Sequence, residues 1–145
     1  METPLVIEDE STRIWLQDGI IHFHYKKDII VDLKIQQKNI ADRNILAAGI
    51  PRPVFADAIG VKYWTHDAKQ YASTDEANRL ALAFAILTNS YVTEISVNWM
   101  LKIFKPKVPL KLFRSRDAAM AWLETYKVYP NGPASEKFNP GLVLL

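Results

Sequence analysis

Leu80-Ala81-Leu82-Ala83-Phe84-Ala85-Ile86-Leu87 is the most apolar run of the chain. Its three alanines would suit a helix, but eight residues are few for one. A strand buried on both faces reads as such a continuous apolar run. The segment is therefore predicted as an interior strand near the centre of a sheet.

The flanks of this run fix the class. Upstream, Val54-Phe55-Ala56-Asp57-Ala58 reads as a short buried strand. Thr65-His66-Asp67 then opens a helix running to about Ala72, and Asp75–Arg79 adds a turn. Downstream, Tyr91–Phe104 reads as a helix stopped by Pro106, and Val108–Phe113 as a strand with Pro109 near its start. Proline lacks the N–H that a central ladder needs, so Pro109 implies an edge strand or a place at the strand's first residue. Ser115 caps a last helix to about Tyr126, with Ala119, Trp122, Leu123 and Tyr126 on its core stripe. Strands alternating with helices predict right-handed crossovers and a mainly parallel sheet.

The N-terminal third differs. Pro4–Ile7 is a short apolar strand candidate. Arg13–Gln17 and Ile20–Tyr25 flank Asp18-Gly19, the strongest short hairpin signal, because both turn residues tolerate positive φ. In the second arm Ile21, Phe23 and Tyr25 alternate with Ile20, His22 and His24, so one face is apolar and the other is expected to be solvated. Asp32 can cap a helix from Leu33 to about Ala48, with Leu33, Ile40, Ala41, Ala47 and Ala48 on its stripe and Gly49 ending it. The fold class is α/β with an α+β element: a mixed sheet, an initial antiparallel hairpin and helices mainly on one face. Residues 1–128 are expected to form one domain. Residues 129–145, with three prolines and two glycines, read as a tail.

Composition narrows the function classes. The chain has 145 residues, 49% of them hydrophobic and 23% charged, as in ordinary globular domains. Zero cysteines exclude disulfides, thiolate nucleophiles and cysteine metal sites. The net charge of +2 is too small to argue for nucleic acid. Lys102, Lys105, Lys107, Lys111, Arg114 and Arg116 form an acid-free basic stretch, but helix and strand geometry would spread them over several surfaces. No stretch approaches the roughly 20 apolar residues of a membrane span, and no signal peptide is visible. A cytoplasmic protein is expected.

The residues from Pro53 to Leu123 resemble the SpoIIAA-like branch of the STAS fold. The likeness is carried by Val54-Phe55-Ala56-Asp57, Val61-Lys62-Tyr63-Trp64-Thr65, Leu82 to Asn89, Lys105 to Phe113, and Ala118 to Leu123. Gly19-Ile20-Ile21-His22 is similar to the entry hairpin of that family, so the likeness covers roughly residues 12–126. The resemblance implies a mixed sheet and a non-enzymatic binding or regulatory module. In anti-sigma-factor antagonists of this fold, an Asp-Ser-Ser-Gly motif at a helix start is phosphorylated. Thr65, His66 and Asp67 fall on its first three positions. Asp67 occupies the acceptor position and Ala68 replaces the glycine. Thr65 reads first as a cap.

Candidate site residues follow. Asp57, Thr65, His66 and Asp67 gather where strands hand over to a helix. Val92, Ile95, Trp99 and Ile103 form one stripe of the helix Tyr91–Phe104, and Val97, Met100, Leu101 and Phe104 widen it. That is more apolar surface than one sheet contact covers. Either a neighbouring helix covers the rest, or a protein partner, a small apolar ligand or a second copy is expected there, with Trp99, Met100 and Ile103 in the contact. The chain also ends in Leu142-Val143-Leu144-Leu145, an apolar segment expected either to dock on its own domain or to cross to a second copy. The alternative reading is a small enzyme using His66 with Asp57 or Asp67 as an acid–base pair. No GxSxG, Walker or GxGxxG motif is present, and neither a catalytic set, a metal site nor a cofactor is expected.

Overall fold

The computed structural model describes residues 5–103 and 105–127. The chain opens with strands β1 (Val6–Glu8), β2 (Thr12–Gln17), β3 (Ile20–Tyr25) and β4 (Ile29–Val31), followed by helix α1 (Leu33–Ala47). Strands β5 (Arg52–Asp57) and β6 (Val61–Trp64) lead to helices α2 (His66–Ala72) and α3 (Asp75–Asn78). Strand β7 (Ala81–Leu87), helix α4 (Tyr91–Ile103), strand β8 (Leu110–Phe113) and helix α5 (Arg116–Glu124) complete it.

Six strands form one sheet in the order β1-β2-β3-β5-β7-β8. The first three are antiparallel, and β3, β5, β7 and β8 run parallel. Asp18 and Gly19 both have positive φ, 52° and 79°, so the Asp-Gly turn closes the hairpin as expected. It sets the register Gln17↔Ile20, Trp15↔His22 and Arg13↔His24. β4 and β6 pair parallel as a separate two-stranded sheet.

The run that decides the fold is β7. It starts at Ala81 and has no exposed residue. It lies second from the edge, beside β8, while β3 and β5 occupy the middle. Phe84 and Ile86 pack into one core with Ile21, Phe23, Val54, Leu46 of α1 and Ala68 of α2. Ala83, Ala85 and Leu87 face the other core, with Ile20, Phe55, Ala119 and Leu123. Alanines on that face let α5 lie close to the sheet.

Helices α1 to α4 therefore share one face, and α5 covers the other. This corrects the expected solvated face of β3: Ile20 and His22 are both buried. The chain returns under the sheet only at its last helix, so local alternation could not show the cover. Caps behave as expected. Asp32 accepts from Ile35 N–H, Thr65 from Ala68 N–H and Ser115 from Ala118 N–H. Two details of α1 differ. Its left-handed turn begins at Ala48 (φ 54°) before Gly49 (φ 80°), and its buried face holds Asn39 and Arg43, while Ala41 and Ala48 are exposed. The tail 129–145 lies outside the described residues.

Candidate functional site

The carboxyl ends of β3 and β5 bring Asp57 together with charges from distant segments. Asp57 is the last residue of β5 and is buried. Arg116 Nη2, on the first turn of α5, donates to Asp57 Oδ2 at 3.0 Å. His24 Nδ1 lies 3.4 Å from the same oxygen, and Ile59 N–H donates to Oδ1 at 3.3 Å. The carboxylate thus ties α5 to the strand ends.

Beneath this cluster a column of rings crosses three strands. Arg13 lies over the Trp15 ring at 5.1 Å, and Trp15 stacks on His22 at 5.1 Å with 11° between planes. His22 meets Phe55 edge-on at 5.8 Å, and Arg116 covers Phe55 at 4.9 Å. His22 Nδ1 has no hydrogen-bond partner among the described residues. Burial, and then the charge of Arg116, hold its imidazole below the usual histidine range. The hairpin register implied by Asp18-Gly19 places Trp15 opposite His22, so this stack had a sequence signal.

Thr65, His66 and Asp67 sit together at the start of α2. Thr65 Oγ1 accepts the Ala68 N–H at 3.3 Å, and Thr65 N–H donates to Val31 O at 2.9 Å. His66 and Asp67 are exposed. Asp57 is engaged with His24 and Arg116, residues that the sequence reading did not join to it.

Helix α4 packs on the α2 side. Val97 and Thr93 are buried, and Lys69 of α2 donates to the Ser96 hydroxyl at 3.0 Å. Its apolar stripe faces away: Val92 is 67% exposed, Ile95 60%, Trp99 60% and Ile103 52%. Met100 belongs to the helix, but its side chain lies outside the described residues. The basic stretch is dispersed: Arg116 pairs with Asp57, Arg114 with Glu94 and Lys107 with Asp75.

Among solved structures, an uncharacterized protein of the DUF3478 family with a SpoIIAA-like fold, from Shewanella loihica PV-4, superposes with a TM-score of 0.54. The match covers 85% of this chain and 98% of that one at 14% identity. The architecture is accordingly SpoIIAA-like. Within that class the chain belongs to the family described as a domain of unknown function, DUF7793, whose profile matches residues 14–127. Comparison with curated proteins gives no match. No helix among the described residues is long and apolar enough to cross a membrane.

Proposed function

We propose that this protein is a non-enzymatic, cytoplasmic binding module that docks a second copy of itself through the outer face of α4. The carrying observation is the contiguous exposure of Val92, Ile95, Trp99 and Ile103. A contiguous apolar patch of this kind is a marker of an interaction surface. The spacing of the stripe reads almost the same in both directions, which suits an antiparallel two-fold contact. Opposed helix dipoles favour the same antiparallel arrangement.

Light scattering on the full chain tests this reading. A dimer is expected at about 10 μM, in the affinity range of a small helical interface. Trp99→Glu should give a monomer with an unchanged circular dichroism spectrum, since Trp99 packs outward. A dimer that survives truncation after Tyr129 assigns the contact to α4 rather than to the tail. A monomeric wild type at about 100 μM would overturn self-docking and leave the face to a different protein partner.

A further inference from the structure

We propose that the space between the sheet and helices α1, α2 and α4 is a binding site for an apolar molecule of about four heavy atoms, a short hydrocarbon or haloalkane. This goes beyond the docking reading and does not depend on it, because the site lies on the inner side of α4, away from the exposed stripe.

The two faces of β7 are packed differently. On the α5 side Ala83, Ala85 and Leu87 are buried. On the other side Phe84 and Ile86 are only half-buried. The cause lies in α4. It turns Val92, Ile95, Trp99 and Ile103 outward, and its buried side chains among the described residues are the small Thr93 and Val97. What remains open is a cavity of about 100 Å³. Phe23, Ile40, Val54, Phe84, Ile86 and Val97 supply apolar wall.

Polar side chains also reach the lining, and most of them are engaged by the protein. Lys69 Nζ donates to the Ser96 hydroxyl at 3.0 Å, and Ser73 Oγ to Gln70 O at 2.7 Å. Asn78 Nδ2 donates to Thr74 O at 2.7 Å and to Ala72 O at 2.9 Å. Arg43 Nη2 donates to Ala77 O at 2.8 Å, and its guanidinium lies over the Phe84 ring. Gln36, half-buried near the start of α1, completes the polar lining.

Protein interiors are close-packed and leave few voids larger than a water molecule. A void walled mainly by hydrocarbon stays dry, so its lining lacks contacts on one side. An apolar occupant supplies those contacts and breaks none of the hydrogen bonds around it. The six carbons of benzene fit an apolar cavity of about 150 Å³, so about 100 Å³ corresponds to about four heavy atoms. That volume leaves no room for a charged head group beside a tail.

The probe is chloroform, four heavy atoms and weakly polar, titrated into the full-length protein and followed by amide and methyl chemical shifts. Saturable binding below about 10 mM is expected, with shifts centred on Ile86 and Val97. Acetamide, equal in heavy atoms but polar, should bind at least about tenfold more weakly. Ala72→Leu fills the cavity from α2 and should abolish chloroform binding. Val97→Ala removes two carbons of wall and should raise the affinity for benzene by about tenfold. Trp99→Glu, on the outer face, should bind chloroform as wild type does. No saturation in wild type, acetamide binding as tightly as chloroform, or a site lost in Trp99→Glu would overturn the proposal. So would undiminished binding in Ala72→Leu, or Val97→Ala without the gain for benzene, which serves alone if Ala72→Leu does not fold.

Discussion

Leu123→Ala tests the second core that α5 closes beneath the sheet. Leu123 is fully buried and packs with Ile20, Phe55 and Leu87 over Ala83 and Ala85. Truncation removes three carbons of burial at about 0.8 kcal/mol each, or roughly 2.4 kcal/mol. The alanines below have no side chain to swing into the gap. A residual hole of about 40 Å³, at about 24 cal/mol per Å³, adds roughly 1 kcal/mol. The expected loss is therefore about 3 kcal/mol, a large share of the ~5–15 kcal/mol that holds a domain together. Urea unfolding followed by tryptophan emission and circular dichroism should show a lower midpoint at unchanged slope, and the melting temperature should fall by about 10 °C. Ala121→Lys, on the exposed side of the same helix, should stay within about 0.5 kcal/mol of wild type. A Leu123→Ala loss below about 1 kcal/mol would refute the packing of α5 on the sheet.

Three further outcomes are expected. Thr65→Ala removes the acceptor for Ala68 N–H and should cost about 1 kcal/mol in urea unfolding; an unchanged midpoint would contradict the cap. The His22 imidazole takes its proton less readily when folded than at its ordinary value of 6.5, so its contribution is full above that pH and is lost as pH falls through the folded value. His22→Phe should flatten the decline in stability as pH falls below 6.5, and equal slopes in the two proteins would refute this. Gly60→Ala would drive a Cβ into the Lys26 carbonyl oxygen, for a loss of about 1–3 kcal/mol in thermal unfolding; an unaltered melt would show that the contact yields freely.

Much of the fold was legible because its signals are local. Asp18-Gly19 closes its hairpin by the φ values its residues allow, and Asp32, Thr65 and Ser115 cap the helices that follow them. The apolar run of β7 followed from hydropathy, and Pro109 allowed the edge place of β8, which begins just after it. What stayed hidden depends on chain returns. Ile20 is buried because α5 comes back beneath β3 a hundred residues later in order, and no window around Ile20 holds that fact. Asn39 and Arg43 break the apolar stripe of α1 yet face inward, so a hydropathy pattern assigns them to solvent. The pairing of β4 with β6 rests on strands of three and four residues, too short to announce themselves. In α4 the surplus of apolar surface was visible, whereas the side that faces the body, with Thr93 and Val97, was not. Asp57 was singled out from its strand end, but its partners His24 and Arg116 come from opposite ends of the sequence.

The two outer strands of the six-stranded sheet also bear on how the molecule behaves in a crowd. β1 has three residues and β8 four, and each marks a border of the sheet. A strand that short offers a neighbour few ladder hydrogen bonds, too few for runaway edge-to-edge polymerisation. β8 further carries the exposed Lys111, whose charge repels an identical strand laid beside it. Sheet extension is thereby discouraged at both borders. Concentrated solutions should accordingly resist fibril growth while the native state persists.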